Sequence, residues 1–221
     1  MCFVGGLEMN EESSLKVNEE EKIKITAYHT LNSMQSEKFN NSSRIFGLRV
    51  GNIKDISYSK LLKLINNLYT MCRLHYISLE NRKIKKLLPE GRHPIQPDRG
   101  EIYNAIITEN VGSEINDNHL VVVISNEKTN VFAEKINVVP IEGDGNDVPS
   151  YLVKLENADL EFGNLNKDPS RVIIPEILTI DKSRLDLKVG KINEKKMLEI
   201  SRKIMKQLDI KLKDICVDNK K

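Results

Sequence analysis

The spacing of hydrophobic residues changes character twice along this 221-residue chain. Across residues 55–88, Leu61, Ile65, Leu68, Cys72, Tyr76 and Leu79 recur at three- and four-residue steps, the spacing of one helical face. Leu64, Met71, Leu74 and Ile77 widen that face. Asp55 or Ser57 can cap this helix, and Pro89 and Gly91 stop it. So wide a stripe predicts burial, on the rest of the fold, on a second copy or on a partner. Upstream, residues 23–53 keep no sustained period, and a short helix over 26–39 is expected to end at Asn40-Asn41-Ser42-Ser43. Residues 9–22, with Glu19-Glu20-Glu21 at their centre, predict disorder.

Past a stiff linker marked by Pro89, Pro94 and Pro97, the period shortens to that of strands. Strands are expected at 102–108, 119–125, 136–141, 151–155 and 172–180, the last bent at Pro175. The run from His119 to Ser125 is almost wholly apolar, which suits a strand covered on both faces. Pro140 is tolerable only near a strand end or sheet edge. Segments 126–130, 143–147 and 163–164 carry turn chemistry. Asn193 then caps a final helix whose buried stripe reads Met197, Ile200, Ile204 and Leu208. The order predicts an α+β protein, a small closed β-barrel of about five to seven strands with a C-terminal helix and an N-terminal helical extension. The chain divides into three segments: 1–54, partly disordered; 55–98, a basic amphipathic helix and Pro-rich linker; and 99–213, the barrel domain.

Composition narrows the classes further. With 39% apolar and 30% charged residues the chain can build a modest core, and no window is long and apolar enough to span a membrane. Residues 1–9 lack the basic start of a secretory signal and read like translated upstream sequence before a second start at Met9. Cys2, Cys72 and Cys216 form no Cys-x-x-Cys pair, so neither a disulfide framework nor a zinc ribbon can be assembled, and a reduced, cytoplasmic setting is expected. The net charge of +2 hides a gradient. Between Lys60 and Arg92, eight basic residues (Lys60, Lys63, Arg73, Arg82, Lys83, Lys85, Lys86 and Arg92) face only Glu80 and Glu90, whereas acids slightly outnumber bases from Arg99 onward. Electrostatic attraction for nucleic acid is therefore strongest in the extension.

Several motifs carry a resemblance. The segment opens Arg99-Gly100-Glu101-Ile102-Tyr103, continues through Val111-Gly112-Ser113-Glu114 and Ser170-Arg171-Val172, and nearly closes on Thr179-Ile180-Asp181-Lys182-Ser183-Arg184-Leu185. In order and spacing this resembles the MazF/PemK toxins over about 110 residues. The resemblance implies an SH3-like barrel, a homodimer, a cognate antitoxin protein as partner, and metal-independent cleavage of single-stranded RNA without a cofactor. That family keeps an Arg at the start of its second strand and a Thr at the end of its third for catalysis; here those positions are His119 and Glu142. Its Gln-x-Arg before Thr-Ile-Asp reads Glu176-Ile177-Leu178. The substrate contacts implied are Arg99, Ser113, Glu114, Asn126 and Glu176.

The implied reaction is attack of a ribose 2′-hydroxyl on the adjacent phosphorus, which needs a base, an acid and a group to steady the phosphorane. Glu142 and His119 have the chemistry of base and acid. Against this stand Glu114, Glu142 and Glu176, three carboxylates that would repel phosphate if they share one groove. A catalytically silent domain that binds RNA or protein through the same groove is the alternative.

Overall fold

The computed structural model describes residues 32–54 and 56–211, which form two compact units dividing after Ser57. The stretch expected to be disordered and the beginning of the helix expected at 26–39 lie outside the described residues. In the first unit, helix α1 (Ser33–Gly51) starts from a capping box. The Asn32 side chain accepts from the Gln35 backbone N–H at 2.9 Å, and the Gln35 side chain accepts from that of Asn32 at 3.0 Å. The helix runs through Asn40-Asn41-Ser42-Ser43, which were expected to end it. Each such residue lowers helix propensity by only about half a kcal/mol, too little to stop a helix without Gly or Pro.

The second unit is a curled antiparallel sheet between helices. Helix α2 (Tyr58–Lys85) leads into strands β1 (Glu101–Thr108), β2 (Asp117–Val123), β3 (Lys135–Glu142), β4 (Val153–Leu155), β5 (Leu160–Gly163), β6 (Ser170–Val172), β7 (Leu178–Asp181) and β8 (Leu185–Ile192). Short helix α3 (Glu127–Phe132) sits between β2 and β3, and α4 (Glu194–Gln207) closes the unit. The strand order is β4-β6-β3-β2-β1-β8-β5, with β7 pairing the other half of β3. Eight strands thus replace the five to seven expected, and because β4 and β5 at the two ends of that order do not pair, the sheet is a curled half-barrel rather than the closed barrel expected. The 172–180 segment divides at Pro175 into β6 and β7, and β5 and β8 supply the second edge beside β1. Segment 126–130, expected as a turn, instead enters α3.

Alternating residues of the central strands fill two cores. Ile102, Val122, Val139 and Ile141 pack with Met197 and Ile200 of α4, whereas Tyr103, Ala105, Val121, Val123 and Val138 pack on the opposite face. That is why the run through Val121-Val122-Val123 carries no polar residue. Pro140 lies in an interior strand, but its carbonyl accepts from Ile173 N–H at 2.9 Å in the break between the β7 and β6 pairings. Its missing N–H points the same way, into that break, so no ladder bond is lost. Asn193 caps α4 as expected, accepting from Lys196 N–H at 2.9 Å. The buried stripe ends earlier than expected, because Leu208 lies beyond the last turn and is exposed.

The motifs turn out to be fasteners. Gly100 has φ +88°, and a Cβ there would come within 3.2 Å of Met197 Cγ and 3.3 Å of the Ile192 carbonyl. Buried Glu101 accepts from Tyr103 Oη at 2.8 Å and Asp98 N–H at 2.9 Å and pairs with Lys188. Burial pushes its carboxyl up, but Lys188 and these donors hold it net below the ordinary range. Downstream, Asp181 accepts from Ser78 Oγ of α2 at 2.8 Å, fully buried Lys182 donates to the Asn130 carbonyl at 2.6 Å, and Arg184 donates to the Ile106 and Ile107 carbonyls at 2.7 and 3.0 Å.

Helix α2 meets the barrel on a different face from the one expected. Leu74, Ser78 and Asn81 are buried, whereas Ile65, Leu68, Cys72, Tyr76 and Leu79 are exposed. The face is chosen by polar anchors: Ser78 on Asp181, Lys85 on the Phe132 carbonyl at 2.6 Å, and Arg82 on Glu134 at 2.7 Å. Leu74→Asp should therefore lower the melting temperature by on the order of 10 °C, because it buries an unpaired charge. Leu68→Asp, at 51% exposure, should leave it nearly unchanged. A loss confined to Leu68→Asp would mean that α2 docks through its other face.

Burial, with Lys85 nearby, pulls the Lys182 ammonium down to about 8 from 10.5. The folded state then binds fewer protons than the unfolded state between those values, so the group's contribution to stability improves as pH rises from 8 towards 10.5. Denaturant unfolding should show wild type gaining on Lys182→Met by on the order of 1–3 kcal/mol from pH 7.5 to 10. A difference that stays constant would place the Lys182 titration outside this range.

Candidate active site

The β2–β3 register pairs Leu120 with Ile141. One step further along both strands come His119 and Glu142, on the face opposite the Leu120 and Ile141 side chains. On the other side of β3, Glu142 is paired in register with Arg171 of β6, whose Nε and Nη2 donate to Glu142 Oε2 at 3.2 and 2.9 Å. Glu176, in the turn between β6 and β7, completes the cluster. Burial and the Glu142 carboxylate push its carboxyl above the ordinary range, with His119 pulling the other way. An imidazole, two carboxylates and a guanidinium thus share one electrostatic neighbourhood, all four half-buried.

A cleft of about 330 Å³ adjoins them, lined by Asn110, Ser113, Glu114, Ile115, Glu176 and Leu178. Four of these belong to the β1–β2 loop, residues 109–116. Two non-glycine residues with left-handed backbone bracket this loop, Thr108 at φ 74° and Asp117 at φ 63°. Such conformations cost about 1–3 kcal/mol each and persist where the surroundings impose them. Inside the loop, Asn110 Nδ2 donates to the Ile115 carbonyl at 2.7 Å, Asn116 Oδ1 accepts from Asn110 N–H, and Glu114 Oε2 accepts from Val111 N–H at 3.2 Å.

Of the residues anticipated from sequence, Ser113, Glu114 and Glu176 meet in this cleft with His119 and Glu142 beside it. Arg99 and Asn126 do not join them. Arg99 Nη2 donates to Ser201 Oγ at 2.9 Å and lines a separate groove of about 750 Å³ along α4 with Lys191 and Lys195. Asn126 caps α3, its side chain accepting from Thr129 N–H at 2.9 Å, beyond the C-terminal end of β2, whereas His119 lies near the start of that strand. Sequence reasoning missed Arg171. It stood within a recognised motif, but only the β3–β6 register reveals Glu142 as its partner. Among the described residues no cluster of His, Cys, Asp or Glu has a metal-binding arrangement.

A curled antiparallel sheet with a C-terminal helix, and an acid-lined cleft with His119 and Glu142 beside it, set the class: a small α+β domain with a cluster of titratable groups on its sheet. The family model for PemK-like, MazF-like toxins of type II toxin-antitoxin systems matches residues 98–208, and the chain belongs to that family. The endoribonuclease MazF of Staphylococcus saprophyticus is 32% identical over 108 residues, covering 48% of this chain and 86% of that protein. Solved structures with similarity include MazF from Deinococcus radiodurans (18% identity, 52% of this chain and 97% of that one, TM-score 0.43). Another is the Mycobacterium tuberculosis toxin MazF-mt6 (19%, 50% and 98%, TM-score 0.40).

The shared field of the cluster is measurable. Glu142→Gln removes the charge that repels the Glu176 carboxylate, so the Glu176 pKa should fall; His119→Ala removes an attractive one, so it should rise. Carboxyl-carbon NMR titration reads both shifts. No shift in either variant would show that the three groups act independently, and shifts of the same sign would contradict this arrangement of charges.

Proposed function

We propose that this protein is a toxin endoribonuclease that cuts single-stranded RNA without metal or cofactor. It acts in the cytoplasm as a homodimer restrained by a cognate antitoxin protein. Membership of the MazF-like family supports the class. The observation that carries the site is the gathering of His119, Glu142, Glu176 and Arg171 beside the Ser113/Glu114 cleft.

Glu142 accepts the 2′-hydroxyl proton. The freed oxygen attacks the adjacent phosphorus, the bond to the 5′-oxygen breaks, and His119 protonates that oxygen as it leaves. The products are a 2′,3′-cyclic phosphate and a 5′-hydroxyl. Arg171, 26% exposed and paired with Glu142, is the nearby cation able to steady the phosphorane where the family's usual arginine is replaced by His119. Ser113 and Asn110 offer hydrogen bonds to bases entering the cleft. Glu114 and Glu176 accept from base amino groups and disfavour a phosphate deep inside, so the backbone is steered to the rim.

Cleavage of a single-stranded RNA in EDTA should follow a bell-shaped pH profile. His119→Ala should cost on the order of 10²-fold or more in kcat/KM, the loss of one proton-transfer group. Glu142→Thr restores the family residue. A further loss supports the rewired pair, whereas a gain marks Glu142 as an impediment. Wild-type protein that binds the RNA and leaves it intact would establish the silent binding domain instead.

A further inference from the structure

We propose that Lys60 and Lys63 of helix α2 are positioning residues that clamp the β1–β2 loop in the shape that receives RNA. The proposal rests on the ribonuclease reading for its ligand, and on geometry for the clamp. Lys60 Nζ pairs with Glu109 and donates to the Asn110 carbonyl at 2.9 Å, at the start of the loop. Lys63 Nζ meets Asp117 Oδ2 at 2.9 Å, at its end. Three residues apart on a helix, the two ammonium groups share a face and reach both ends of the loop together.

Each end of the loop is also a hinge that disfavours its own conformation. Thr108 and Asp117 hold φ of 74° and 63°, and a β-branched residue such as Thr108 rarely adopts that region. The Glu109 side chain is only 4% exposed and its Oε2 has no hydrogen-bond partner, so the charge that compensates it matters. Arg184 fixes the strand just before the first hinge through the Ile106 and Ile107 carbonyls. Beyond that hinge, helix α2 holds Glu109 and Asn110 in place. Because Asn110 and Asn116 stitch the loop internally, movement at its ends carries Ser113 and Glu114 with it, and these line the cleft. Helix α2 therefore shapes the substrate site without touching the reacting atoms.

Hydrogen exchange and kinetics on the full chain test this. In Lys60→Met, amides of residues 109–116 should exchange about tenfold faster or more, while those of β1 residues 102–106 keep their protection. KM for a single-stranded oligoribonucleotide should rise about tenfold with kcat nearly unchanged, the pattern of lost binding and intact chemistry. Lys60→Arg, which keeps the cation, should restore both. If Lys60→Met fails to fold because Glu109 is left unpaired, Lys60→Met/Glu109→Gln removes the stranded charge and should show the same two effects. Lys63→Met should show a milder version. Unchanged loop exchange in a chain that still cleaves RNA overturns the clamp alone. Faster exchange with unmoved KM overturns its role in binding. A wild-type chain that neither cuts nor binds the oligonucleotide overturns this proposal together with the ribonuclease reading.

Discussion

The turn entered at Asp181 and left at Arg184 is the fixed point of the second unit. Three of its polar side chains each tie down a different element: Asp181 takes the Ser78 hydroxyl of α2, Lys182 the carbonyl of Asn130 in α3, and Arg184 two carbonyls at the end of β1. Lys182 is fully buried, and its ammonium is tolerated because a carbonyl receives it and Asp181 partly offsets the cost of burial. A hydrocarbon core holds sheet against helix without specifying direction. These bonds do specify it, because each has one geometry that satisfies both partners.

From that turn the constraints run outwards to the site. Arg184 locks the irregular end of β1, from which the left-handed Thr108 turns the chain into the β1–β2 loop. Ser78 orients α2, and the same helix carries Lys60 and Lys63 to the loop's two ends. The cleft is thus shaped by residues some distance from it. Its chemistry comes from the sheet: adjacent strands in register place His119, Glu142 and Arg171 on neighbouring positions of one surface.

Charge is managed locally rather than globally. The barrel carries no excess of positive charge, and the groups beside the cleft include three carboxylates. Arg171 neutralises one of them, and the raised affinity of Glu176 for a proton comes from its partial burial, with the Glu142 carboxylate adding to it. Carboxylates placed this way disfavour a phosphate deep in the cleft.

Much of the fold was legible in the sequence because it is encoded by period and by caps. The apolar run through Val121-Val122-Val123, the Asn193 cap, the break at Pro175 and the helical spacing after Tyr58 each state a local preference that the tertiary structure keeps. The motif residues, too, could be recognised as a set, and with them the family. What the sequence left undecided were choices made by partners distant in the chain. Both faces of α2 are apolar enough to be buried, and the choice fell to Ser78, Lys85 and Arg82, whose acceptors lie some 50 to 100 residues away. Arg99 and Asn126 look as fit for RNA as Ser113 does, yet one spends its hydrogen bond on α4 and the other on the start of α3. Arg171 became part of the site only when β6 paired with β3. Period and capping are properties of neighbours along the chain, and sequence determines them; which polar groups meet depends on sheet register and helix docking, and only the tertiary structure decides that.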